Sequence, residues 1–127
     1  MFVCLGNACR SQMAEGFART YGKDVLVAHS AGLAPATFVP PETQRTMAEK
    51  NIDITRQFPK NLPMYSPAQY DLVINMSGYP LNGYPSSRTW KVRDPIGCDD
   101  ETYRAVRDQI EGLVMSLIIE LRRMKKS

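Results

Sequence analysis

The chain has 127 residues, 43% of them apolar, with 16 Lys and Arg against 13 Asp and Glu, a net charge of +3. That is enough for one domain with a full core, and no apolar run reaches the length of a membrane span, the nearest, over 113–121, being broken by Ser116 and Glu120. The mild basic excess lacks the dense basic face with interleaved aromatics that suits nucleic acid, and three cysteines without a C-x2-C pair argue against both a disulfide scaffold and a metal site.

At the N-terminus Met1, Phe2 and Val3 form a strand end, Gly6 and Asn7 tolerate the positive φ of a tight turn, and 11–19 is an alanine-rich amphipathic helix. Between strand and helix lie Cys4, Arg10 and Ser11 in C-x5-R-S spacing. A loop this short, closing on a helix N-terminus, brings the backbone N–H groups of Leu5, Gly6, Asn7, Ala8 and Cys9 to one spot that favours a tetrahedral dianion. Arg10 adds a planar fork of donors suited to such oxygens. Cys4, at the bottom of this positive cradle, is stabilised as a thiolate and becomes a nucleophile.

Further along, 24–30 has the β-branched, apolar character of a buried strand ending at Ala31-Gly32, which places Ser30 at its C-terminal end to buttress the first loop. His29, the single histidine, is a packed or partly exposed strand residue. A proline-rich connection leads to a helix over 41–50 with Pro41 in its first turn. The loop-rich passage that follows, over 52–69, holds a short helix. A third buried strand covers 70–76, a turn-dense segment 77–85, and a fourth short strand 89–92 delivers Asp94-Pro95 to the same sheet edge. Proline after Asp94 biases it to an extended conformation and holds its carboxylate in a defined place. One long helix then covers 99–124, capped by Asp99 or Asp100, with Tyr103, Val106, Ile110, Leu113, Leu117 and Leu121 along its core face. Alternation of strands and helices predicts a single α/β domain over 1–127: a three-layer α/β/α fold with a four-stranded parallel sheet and the phosphate-binding loop between first strand and first helix.

Asp94 is the candidate acid and base: beside a thiol–phosphate centre it protonates the leaving oxygen and later takes a proton from water. Phosphoryl transfer otherwise needs positioning and charge stabilisation, which the loop amides and Arg10 supply.

VCLGNACRS, the SAG of Ser30 to Gly32, the DLVINM strand and Asp94-Pro95 before a long last helix resemble the low-molecular-weight protein tyrosine phosphatase superfamily, which also contains the thioredoxin-coupled arsenate reductases. The resemblance covers almost the whole chain. It implies Cys4 as nucleophile, Arg10 as oxyanion clamp, Asp94 as acid and base, Ser11 as support for the thiolate, and Asn7 and Ser30 as holders of the loop. ACRSQMAEGFA, DPIG and YRAVRDQIEG are closer to the reductase branch, and Ile96-Gly97 stand where eukaryotic-type phosphatases carry a tyrosine pair. Yet Met76 and Gly83 or Tyr84 occupy the places of the two relay cysteines of the thioredoxin-coupled reductases. Cys9 matches a second loop cysteine common in the phosphatases, placed for a protective disulfide with Cys4. Cys98 is a possible redox thiol at the pocket rim, and Tyr79 or Tyr84 a possible substrate wall.

The leading expectation is therefore a cysteine-dependent phosphomonoester hydrolase working through a cysteinyl phosphate, without cofactor or metal, on phosphorylated protein or a small oxyanion such as phosphate or arsenate. Arsenate reduction with an external thiol reductant or Cys98 is the alternative, and a non-catalytic phosphate or phosphoprotein binding module a third. With no charged-then-apolar leader at its start, the protein is expected to be a cytoplasmic monomer that contacts neither membrane nor nucleic acid.

Overall fold

The computed structural model describes residues 1–64, 69–84 and 87–126. Strand β1 (Phe2–Cys4) runs into helix α1 (Arg10–Tyr21), followed by β2 (Ser30–Gly32), α2 (Pro41–Ala48), a 3-10 turn (Leu62–Met64), β3 (Val73–Asn75), β4 (Ser87–Thr89) and α3 (Asp100–Lys125). All four strands are parallel, in the order β2-β1-β3-β4. Central β1 is hydrogen-bonded on both sides, and its side chains alternate between two cores. Phe2 and Cys4 join the cluster that also holds Met13 and Phe17 of α1, Met47 of α2 and Ile110, Val114 and Ile118 of α3. Met1 and Val3 join Ala31, Leu62 and Val73 on the opposite face, where Leu33, Tyr70, Leu81 and Tyr84 complete the cover. No helix among the described residues is long and apolar enough to cross a membrane.

The strands are shorter than the apolar runs that predict them. Residues 24–28 stay outside the ladder: the amides of Val25 and Leu26 donate to the Gly22 carbonyl in a turn that follows α1, and the first cross-strand bond is from the Phe2 amide to the His29 carbonyl. Pairing begins only at Ser30, opposite Phe2. The fourth strand is Ser87–Thr89 in place of 89–92: Trp90 still donates to Asn75, but Val92 is buried beyond the ladder. Its three residues are exposed, as an outermost strand permits.

Asp99 caps α3 by accepting from the Thr102 amide, and the buried stripe runs Tyr103, Val106, Ile110, Val114, Leu117, Ile118, with Leu113 and Leu121 only partly covered. The short helix expected in the passage 52–69 is the 3-10 turn Leu62–Met64; residues 65–68 of that passage, and Pro85, lie outside the described set.

Candidate active site

The β1–α1 loop owes its shape to what holds its carbonyls. Leu33, Ala34 and Ala36 donate their amides to the carbonyls of Cys4, Leu5 and Gly6 at 3.2, 2.8 and 2.8 Å. Gln12 donates to the Asn7 carbonyl at 2.9 Å. In a trans peptide N–H and C=O point in opposite directions, so carbonyls engaged from outside turn the amides towards the loop's centre. Asn7 completes the turn in the left-handed region at φ 48°. Helix α1 has no side-chain cap at Cys9 and no acid in its first turn, so its N-terminal amides and partial positive charge are left for an anion.

Cys4 stands at the end of β1 with its Sγ 2.9 Å from the Ser11 hydroxyl, and the Asn7 amide donates to that hydroxyl at 2.7 Å. With one of its two lone pairs taken by Asn7, the Ser11 hydroxyl can turn its proton to a Cys4 thiolate. The Asn7 side-chain oxygen accepts from the Lys60 amide at 2.8 Å, which ties the loop to the chain before the 3-10 turn. Gln12, fully buried, also donates to the Phe58 carbonyl and accepts from Gln57.

Arg10 is buried and crosses the sheet end. One of its terminal nitrogens donates to the carbonyls of Met76, after β3, and Val92, after β4; the other lies 3.6 Å from an Asp94 carboxylate oxygen. The Asp94 side chain is 43% exposed, and its second oxygen accepts from the Ile96 amide at 3.1 Å. The structure thus brings Cys4, Arg10, Ser11 and Asp94 to one end of the sheet, as a parallel topology dictates.

Two expected positions differ. Ser30 does not touch the loop: it lies opposite Phe2, two residues below Cys4, and donates to the Glu15 carboxylate. The residue opposite Cys4 is Gly32. Tyr84 packs into the second core and forms no wall beside Arg10, whereas Tyr79 is exposed in a cleft that Arg10 also lines. Cys9 is buried between helices, accepting from Thr43 of α2 at 3.2 Å and lying 3.7 Å from the Tyr103 hydroxyl of α3. Burial pushes its thiol up to about 11 and raises the Tyr103 phenol as well.

Cys98, partly exposed, has its sulfur 3.6 Å from an Arg93 nitrogen, in the turn that follows Asp94. Met76 is buried in the first core. No cluster of metal-ligating side chains occurs among the described residues.

Sequence reasoning missed Gln12, Glu15, Gly32 and Lys60. Glu15 is 2% exposed, yet meets Ser30, Arg19 at 2.9 Å and Lys60 at 3.9 Å. An acid in the middle of an otherwise alanine-rich helix face was the available signal. Gly32 was visible in SAG, but its role depends on strand register.

A cysteine ending the central strand, an outward-bonded loop and a buried arginine at an uncapped helix start define an α/β protein with an oxyanion loop. Residues 1–127 match the family described as low molecular weight phosphotyrosine protein phosphatase. The chain belongs to this enzyme family. A glutaredoxin arsenate reductase from Synechocystis is 38% identical over 95% of this chain and 96% of its own. An arsenate reductase solved in a phosphate-binding state superposes with a TM-score of 0.87 at 37% identity, covering 95% of this chain and 96% of that one. A low molecular weight protein tyrosine phosphatase from T. tengcongensis gives 0.81 at 30%, covering 94% and 97%.

Proposed function

We propose that this protein reduces arsenate, with Cys4 as nucleophile and an external thiol as reductant. The observation that carries the choice over ester hydrolysis is the collinear similarity, at 38% identity, to a relative named as a glutaredoxin arsenate reductase. Ile96 and Gly97 after Asp94-Pro95 agree with it, since they leave no aromatic pair there to grip a phosphotyrosine ring. Ester hydrolysis, the leading expectation from sequence, becomes the second reading, favoured by the exposed Tyr79 on the cleft beside Arg10.

In the proposed reaction the loop amides and Arg10 hold the arsenate oxygens. The Cys4 thiolate attacks arsenic, and one oxygen leaves as water with a proton from Asp94. An external thiolate then attacks the Cys4 sulfur. A disulfide bond forms, the sulfur–arsenic electron pair stays on arsenic, and arsenite departs as As(III). A second external thiol exchanges with the mixed disulfide, and Cys4 returns as thiolate. Cys98 is the internal competitor for the first of these thiols.

The test supplies purified protein with arsenate and glutathione, and separately with p-nitrophenyl phosphate. Arsenite should appear, be abolished in Cys4→Ser and persist in Cys98→Ser. Loss in Cys98→Ser would transfer the attack on the Cys4 sulfur to Cys98. Hydrolysis of the aryl phosphate without any arsenite would overturn the proposal.

A further inference from the structure

We propose that the cleft beside Arg10 is the docking site of the reducing thiol, and that the thiol it takes carries carboxylates. The inference rests on the arsenate-reduction reading and names the second substrate's place. The cleft encloses about 780 Å³, within the range of small-molecule sites, and far larger than a tetrahedral oxyanion held in the β1–α1 loop needs. Residues of β3 and β4 and of the segments that follow them line it, and Arg10 forms part of its wall.

Its charge selects the ligand. Arg10, Lys91 and Arg93 line it, and among the described residues no Asp or Glu does, the nearest acid to this wall being Asp94, 3.6 Å from Arg10. A second cleft, about 570 Å³ near the start of β1, mixes Lys23 with Asp24 and Asp71. A carboxylate-bearing molecule is therefore attracted to the first cleft and not to the second.

Its walls are also set in advance. Asn75 accepts from the Ser77 amide and hydroxyl at 2.9 and 2.6 Å and donates to the Tyr79 carbonyl at 2.7 Å, which fixes the turn carrying Tyr79. Gln109 of α3 donates to the Lys91 carbonyl at 3.0 Å on the other side. Strand β4 is outermost in the sheet, and its residues Ser87 and Thr89 lie along the cleft, so polar groups for a peptide-like thiol stand beside the cations. Of the two substrates, the oxyanion already has its cradle, and the thiol is the one still in need of a site.

The test compares glutathione with uncharged 2-mercaptoethanol as reductant of the arsenate-loaded enzyme, in wild type, Lys91→Glu and the Lys91→Glu/Arg93→Glu double variant, with thermal melting as a folding control. The ratio of kcat/KM for glutathione to that for 2-mercaptoethanol should fall by about tenfold or more in the double variant, as rim charges that steer a ligand predict, and by less in Lys91→Glu. An unchanged ratio in folded variants overturns the proposal. Independently of turnover, S-methylglutathione should shift amide resonances of Tyr79 and residues 90–93 in the wild type and lose affinity in the double variant. Turnover with glutathione but no such shifts overturns the cleft assignment alone. Shifts without arsenate turnover support the site and overturn the reductase reading. Displacement of S-methylglutathione by an acidic phosphopeptide would also overturn the proposal, by making the cleft a substrate groove.

Discussion

Gly32 lies directly opposite Cys4 in the β1–β2 ladder, and a β-carbon placed on it would come to 2.8 Å from both the Asn7 amide nitrogen and the Leu5 carbonyl oxygen. Those atoms are backbone, so the loop itself would have to move. Gly32→Ala should lower stability by about 1–3 kcal/mol, the usual range for overpacking, and weaken phosphate binding more than in proportion. Urea unfolding and titration calorimetry with inorganic phosphate measure the two effects. Unchanged phosphate affinity would show that the close approach does not set the loop's shape.

Glu15 is a second hidden support. Its carboxylate accepts from Ser30 and faces Arg19 and Lys60, while the Lys60 amide holds Asn7. Burial lowers the Lys60 ammonium's pKa, a cost that the opposing Glu15 charge offsets in part. Glu15→Gln should destabilise the fold by about 1 kcal/mol and weaken phosphate binding, because Lys60, 15% exposed, loses its opposing charge while Arg19, 54% exposed, is left to solvent. A variant as stable as wild type in urea would contradict this.

Cys9 has a pH signature. In the unfolded chain its thiol titrates near its ordinary value of 9, but burial holds it protonated in the fold to about 11. Between these values the folded state binds more protons than the unfolded one, so stability should fall as pH rises, by up to about 1.4 kcal/mol per unit. Other groups titrate in the same window. The diagnostic is therefore the difference curve against Cys9→Ala, which should lose this slope; parallel curves from pH 8.5 to 10.5 would refute the burial account.

Ser11 and Asp94 act on different steps. Ser11→Ala removes the 2.9 Å contact to the Cys4 sulfur and should slow iodoacetamide alkylation of Cys4 at pH 7. Asp94→Asn should leave alkylation within about twofold while lowering turnover by about 100- to 10,000-fold, the usual contribution of a general acid. Equal effects of both variants on alkylation would argue against this division of labour.

The parts of the site that were legible in the sequence are those encoded by local spacing. C-x5-R-S places a thiol, a guanidinium and a hydroxyl around one turn whatever the rest of the chain does, and Asp94-Pro95 follows a strand whose direction parallel topology fixes. The long amphipathic repeat of α3 was equally plain. Ser30 shows the other case: a strand whose paired residues start six positions later than its apolar run puts a different residue, Gly32, beside the loop. Gln12 and Lys60 were hidden for a related reason, since their partners Asn7 and Phe58 meet them only through tertiary packing. Tyr84 looked like Tyr79 in a turn-rich segment, and only the position of the second core separates them.

The choice between reduction and hydrolysis comes down to what becomes of the Cys4 sulfur. Protein mixed with arsenate and glutathione, quenched in acid and mapped by mass spectrometry, should carry a glutathione disulfide on the peptide containing Cys4, formed only when arsenate is present and matched by arsenite in solution. Absence of both, with a phosphorylated Cys4 trapped from an aryl phosphate instead, would contradict the account.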